Sequence, residues 1–154
     1  MKHKSTPPDY STMTPRDIRR HNITEILANI GLVIVALSLF APLINLSTVA
    51  WLPVLKWTFA GGAVIYTIAR ALGVVVPGEN MRLRRMRRME VWGGICICAG
   101  AFFWFWNEGR LGPFAGPLAL LRDTILFALA GAVIEVIAAW SIYAAQKKAS
   151  RPVK

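Results

Sequence analysis

Glu135 stands in the middle of the run from Leu129 to Ala139, where every other residue is apolar or small. An acid at that depth of a membrane helix costs several kcal/mol on insertion scales, so it faces protein, a polar partner or a watered path rather than lipid. The chemistry open to it is reversible binding of a proton or a cation. The plainer alternative is a neutral carboxyl that hydrogen-bonds a neighbouring helix and serves packing. Arg70 is a second charge inside an apolar run, placed about two turns from the end of the second span. It is expected to snorkel towards the surface, with an ion pair to Glu135, Glu25 or Glu90 as the other outcome. Asn29, Tyr66 and Thr67 add hydrogen-bonding groups, to a polar site or, more commonly, to helix association. The candidate proton, ion or polar site therefore comprises Glu135, Arg70, Asn29 and Tyr66.

Cys96 and Cys98 form a C-x-C, but residues two apart on a helix point to nearly opposite sides. With His3 and His21 far off in sequence, no metal site is expected. The chain has no phosphate-cradling glycine loop, nucleophile elbow, H-E-x-x-H or paired carboxylates, so catalysis is not expected and no cofactor is implied.

The elements that must position these residues are long apolar helices. With 55% hydrophobic residues in 154, the composition is too apolar for an ordinary soluble domain. Four runs approach the about 20 residues that span a bilayer, at 26–45, 55–76, 91–106 and 124–145. They lack the alternation of barrel strands, which leaves helices, the other spanning form that satisfies its backbone in lipid. The fold expected is all-α and polytopic, with four transmembrane helices as two antiparallel hairpins. Residues 1–14 read as a mobile tail, 15–145 as the membrane domain and 146–154 as a basic tail. The polar first twenty residues do not resemble a cleavable signal peptide.

The net charge of +10 takes its meaning from where the 18 lysines and arginines fall. Fourteen of them lie before helix 1, between helices 2 and 3, or after helix 4. The positive-inside rule then puts both termini and the central connection in the cytoplasm. Arg82, Arg84, Arg85, Arg87 and Arg88 are expected to contact anionic lipid headgroups, and nucleic acid is not an expected partner. Met81 to Met89 either prolongs helix 3 or lies on the membrane surface.

Trp51, Trp57, Trp104 and Trp106 fall at one set of helix ends and Trp92, Trp140 and Tyr143 at the other, as two interfacial belts do. The run Phe102 to Trp106 reads as an anchor in the outer belt. Thr14-Pro15-Arg16-Asp17 is a helix start, with Thr14 as cap and Asp17 in the first turn, and the stretch after it is expected to run along or dip from the membrane surface before helix 1 descends. Pro77 and Gly78 are expected to stop helix 2, Pro42 to kink helix 1, and Asp123 to complement the start of helix 4 with Arg122 reaching headgroups. Thr24, Gly31, Ser38 and Asn45 recur every seven residues in one stripe that should face protein. Small residues on all four spans predict close packing within the bundle or against other subunits.

A short four-helix chain with one membrane-embedded glutamate resembles the small multidrug resistance family. That family carries its glutamate in the first helix and lacks this basic tail and long central connection, so no residue role is carried over. The functional expectation is a small integral-membrane subunit or scaffold, contacting lipid and another membrane protein or a second copy. The alternative is a small proton- or cation-coupled transporter using Glu135. Size and the lack of organelle signals point to a bacterial inner membrane.

Overall fold

The computed structural model describes residues 13–44, 50–73, 81–112 and 116–149, less the side chains at 43, 82, 83, 117 and 145–149. These residues form four α-helices and no strand: α1 (Pro15–Ile44), α2 (Leu52–Ala71), α3 (Met81–Leu111) and α4 (Pro117–Ala149). Each is long and apolar enough to cross a membrane. At about 1.5 Å per residue, even α2 reaches roughly the 30 Å of a hydrocarbon core, and the other three exceed it.

The helix ends follow local chemistry. Before α1, the Thr14 hydroxyl oxygen accepts from the Asp17 amide at 3.3 Å while its proton goes to Asp17 Oδ2 at 2.6 Å, and the Thr14 carbonyl accepts from the amides of Asp17 and Ile18 at 2.9 and 3.1 Å. The expected cap is thus in place. The expected surface stretch is not a separate element: α1 is continuous from Pro15, because no breaker interrupts the helical pattern before the apolar residues begin. It also runs past Pro42 for two further residues. At the end of α3, Gly112 adopts φ 71° and its amide donates to the Glu108 carbonyl, the left-handed glycine stop that a Cβ would penalise.

Helix bounds differ from the expected runs at several points, and the choice left open for Met81–Met89 is resolved. The second helix ends at Ala71, five residues short of Val76, so Arg70 lies in the last turn rather than two turns inside. Apolar residues from Leu72 onward hid that end, and Pro77 and Gly78 lie outside the described residues. Met81–Met89 is the first part of α3, its Leu/Met and Arg residues continuing one helix. The fourth helix starts at Pro117, where the Gly116 carbonyl accepts from Ala119 and Leu120. Asp123 is therefore in its second turn and accepts from Asn107 Nδ2 at 3.1 Å instead of serving the helix start. Arg122 is exposed and also reaches Asp123, at 3.4 Å. The tails, most of the first connection and Asn45 lie outside the described residues.

The helices pack in chain order, α1 on α2, α2 on α3 and α3 on α4. Small residues make this possible. A Cβ on Gly31 would come within 2.8 Å of the Tyr66 backbone nitrogen and 2.9 Å of the Gly62 carbonyl, and one on Gly131 within 2.8 Å of the Gly93 carbonyl. Close approach of this kind lets polar groups bridge helices: Ser38 and Thr58 hydroxyls lie 2.9 Å apart, and Thr124 donates to the Gly100 carbonyl at 3.0 Å. Thr24, Gly31 and Ser38 are buried, as the seven-residue stripe requires. The small residues of the spans largely serve these internal seams.

Aromatic packing fills the end opposite Arg70. Trp104 is buried against Phe59 with ring centres 5.7 Å apart, Phe105 meets Trp57 edge-on at 4.9 Å, and Phe103 stacks on Phe127 at 4.8 Å. The run from Phe102 to Trp106 is thus divided. Phe102 and Trp106 are exposed and suit an interfacial belt, whereas the three between them tie α3 to α2 and α4. Lys56 pairs with Glu108 at this same end.

Candidate functional site

At the other end, charged side chains from all four helices converge. Because α2 ends at Ala71, the Arg70 side chain emerges level with the polar turns of α1 and α3. Its Nη1 donates to both Glu25 oxygens, at 2.9 and 3.0 Å, and lies 3.6 Å from Glu90 Oε2. The guanidinium also stands over the Tyr66 ring, 5.7 Å from its centre. Arg70 Nε is buried and has no hydrogen-bond partner among the described residues. Two of the three partners proposed from sequence are therefore engaged, and Glu135 is not an ion-pair partner.

Glu135 lies farther into the bundle, against the bare backbone of Gly93 on α3. A side chain at Gly93 would overlap the carboxyl, so the glycine opens the space the acid occupies. Its neighbours in the electrostatic sense are Tyr66 and Arg70 on α2 and Glu90 on α3. Oε1 is buried with no hydrogen-bond partner among the described residues. Three carboxyls, Glu25, Glu90 and Glu135, thus share the vicinity of one guanidinium, and the two nearest ones hold it.

Beside this cluster, between the ends of α1 and α4, lies a cavity of about 320 Å³ lined by His21, Glu25, Arg70, Arg87, Glu90, Ala139, Ile142 and Tyr143. A second, of about 190 Å³, lies between the ends of α2 and α3 and adds Arg84 and Arg88 to Glu25, Arg70 and Glu90. Together they form a polar vestibule at the Arg-rich end. The arrangement offers room for a small polar or charged species next to Arg70.

Of the four candidate site residues, the structure brings together Glu135, Arg70 and Tyr66. Asn29 is apart from them, exposed on α1. Glu25 and Glu90 belong to the cluster. Their signal in the sequence was an acid on each of two spans at the depth of Arg70, legible once the end of α2 is known. Arg84, Arg87 and Arg88 line the vestibule, Arg84 and Arg88 being exposed as well, and Arg85 is exposed outside it; the Arg82 side chain lies outside the described residues. Thr67 bonds the Ala63 carbonyl and lies 3.3 Å from Cys98 Sγ, a contact between α2 and α3. Cys96 and Cys98 are both free thiols, and no metal-ligating group of three side chains occurs among the described residues. No protein family, curated protein or solved structure matches this chain.

Proposed function

We propose that the protein is a non-enzymatic integral-membrane subunit of a bacterial inner membrane, with both termini and the Arg84 to Arg88 segment in the cytoplasm. The observation that carries this reading is Asn29. Its carboxamide is exposed on the outward side of α1, about midway along the helix, and bonds to nothing among the described residues. A primary amide facing hydrocarbon loses its hydrogen bonds to water, and contact with another membrane helix restores them. Arg84, Arg85 and Arg88 add attraction of about 1 kcal/mol each to anionic headgroups on the cytoplasmic leaflet. Purification in a gentle detergent tests the reading: an assembly larger than one chain, dissociated by Asn29→Leu, supports it, and a monodisperse monomer with or without the substitution contradicts it.

A second reading rests on Glu135. With Arg70 held by Glu25 and Glu90, its carboxyl needs a proton or a cation to be neutral, which is the requirement of a coupled carrier. Purified protein in liposomes should then move protons or a small organic cation, and Glu135→Gln should abolish that flux. Equal flux from the variant would remove the reading.

A further inference from the structure

We infer that α1 carries a self-association seam through which two copies of this chain pair in parallel, each Asn29 bonding its counterpart. The inference rests on the subunit reading above and names the partner. Asn22, Ile26, Asn29, Val33, Ala36 and Phe40 follow one another at steps of four and three, the spacing that keeps side chains on one seam between two helices. Five of the six are exposed and Ala36 is half-buried; Ile26 is 58% exposed, Val33 56% and Phe40 56%. At 3.6 residues per turn this seam lies roughly opposite the stripe of Thr24, Ala28, Gly31, Val35 and Ser38 that α1 buries. Nothing within the described chain covers it.

The occupant follows from three properties of the seam. A carboxamide both donates and accepts, so it complements itself across a two-fold axis, which an apolar, purely donating or purely accepting group does not. Copies of one membrane protein insert in one orientation, so paired α1 helices run parallel and equal residues meet. Asn22 and Asn29 are seven residues apart on the seam, so one in-register pairing aligns both amides, Asn22 near the charged end and Asn29 about 10 Å deeper. The exposed face of α4 offers no such signal: Leu126, Leu129, Val133, Val136 and Ile137 are ordinary lipid-facing residues.

Disulfide crosslinking in native membranes tests this, on full-length protein carrying Cys96→Ala and Cys98→Ala. Single cysteines replacing Ile26 or Val33 should crosslink to dimers on mild oxidation, whereas Leu32→Cys, on the shoulder of the helix, should not. Adding Asn29→Leu should lower crosslinking at position 33 by about fivefold or more, as the loss of interhelical hydrogen bonds of about 1 kcal/mol implies, and Asn29→Gln should retain part of it. An unchanged thermal midpoint of the monomer shows that these variants still fold. Equal crosslinking at 32 and 33, or no effect of Asn29→Leu, overturns the seam. Absence of crosslinks in a protein that still runs as a larger, Asn29-dependent assembly with a different subunit overturns the dimer and leaves the subunit reading standing.

Discussion

At the scale of single residues, the charges define the molecule's polar end. Glu135, Arg70 and Tyr66 were legible in the sequence because polar groups inside apolar runs are few and costly. Their pairing was not, because it depends on where α2 stops: a helix continued to Val76 places Arg70 deeper, and only the real end at Ala71 sets it level with Glu25 and Glu90. Asn29 had the same sequence signal as Tyr66 but a different heading on its helix, which a list of polar residues does not convey. The contact geometry gives a directional prediction. Removing the guanidinium with Arg70→Met leaves two carboxylates facing each other, one of them buried, and should destabilise the protein by up to about 3 kcal/mol, since a buried pair broken from one side leaves an uncompensated charge. Thermal unfolding in detergent measures it. Exchanging the charges, Arg70→Glu with Glu25→Arg, should recover part of that loss, while Arg70→Glu with Glu135→Arg should not; rescue by the second pair alone would show that Arg70 belongs to Glu135.

At the scale of elements, the packing is set by glycines at the crossings. The four spans were legible from hydropathy and length, and the seven-residue stripe of α1 told which face meets protein. Helix ends at α2 and α4 were not, because apolar composition continues across a boundary that a backbone turn sets. Glycines differ in consequence. Gly31 is enclosed by backbone atoms of α2 that cannot move aside, so Gly31→Ala should separate α1 from α2 and destabilise by about 2 kcal/mol, within the range seen for overpacked cores. Gly61, one residue from the crossing, has open space around its Cβ position, and Gly61→Ala should leave stability unchanged or slightly raised. Detergent melting curves of the two variants check this together; similar losses from both would mean that helix propensity, not close approach, explains the glycines. The buried rings tell the same story: Trp104 reads as an interfacial residue by composition and is a packing residue by position, because its face of α3 meets Phe59.

At the scale of the whole molecule, the two ends differ in kind. One is closed by stacked aromatic rings and the Lys56–Glu108 pair, and the other opens into a vestibule of charged groups flanked by exposed arginines. Lys56–Glu108 joins a mostly covered lysine to a half-exposed glutamate, and Glu108→Gln, which keeps an oxygen acceptor for the ammonium, should destabilise by about 1 kcal/mol in a melting experiment. The opposite end should face the cytoplasm, because arginines are retained there during insertion. That orientation decides on which side of the membrane the vestibule, the proposed headgroup contacts and the charged end of the proposed α1 seam lie. It is tested most directly by labelling intact cells with a membrane-impermeant thiol reagent, using single cysteines at Met81 and Gly109 in a background lacking Cys96 and Cys98. Gly109→Cys should react from outside and Met81→Cys only after the membrane is opened; labelling of Met81→Cys in intact cells, or both sites reacting from one side, would contradict the arrangement.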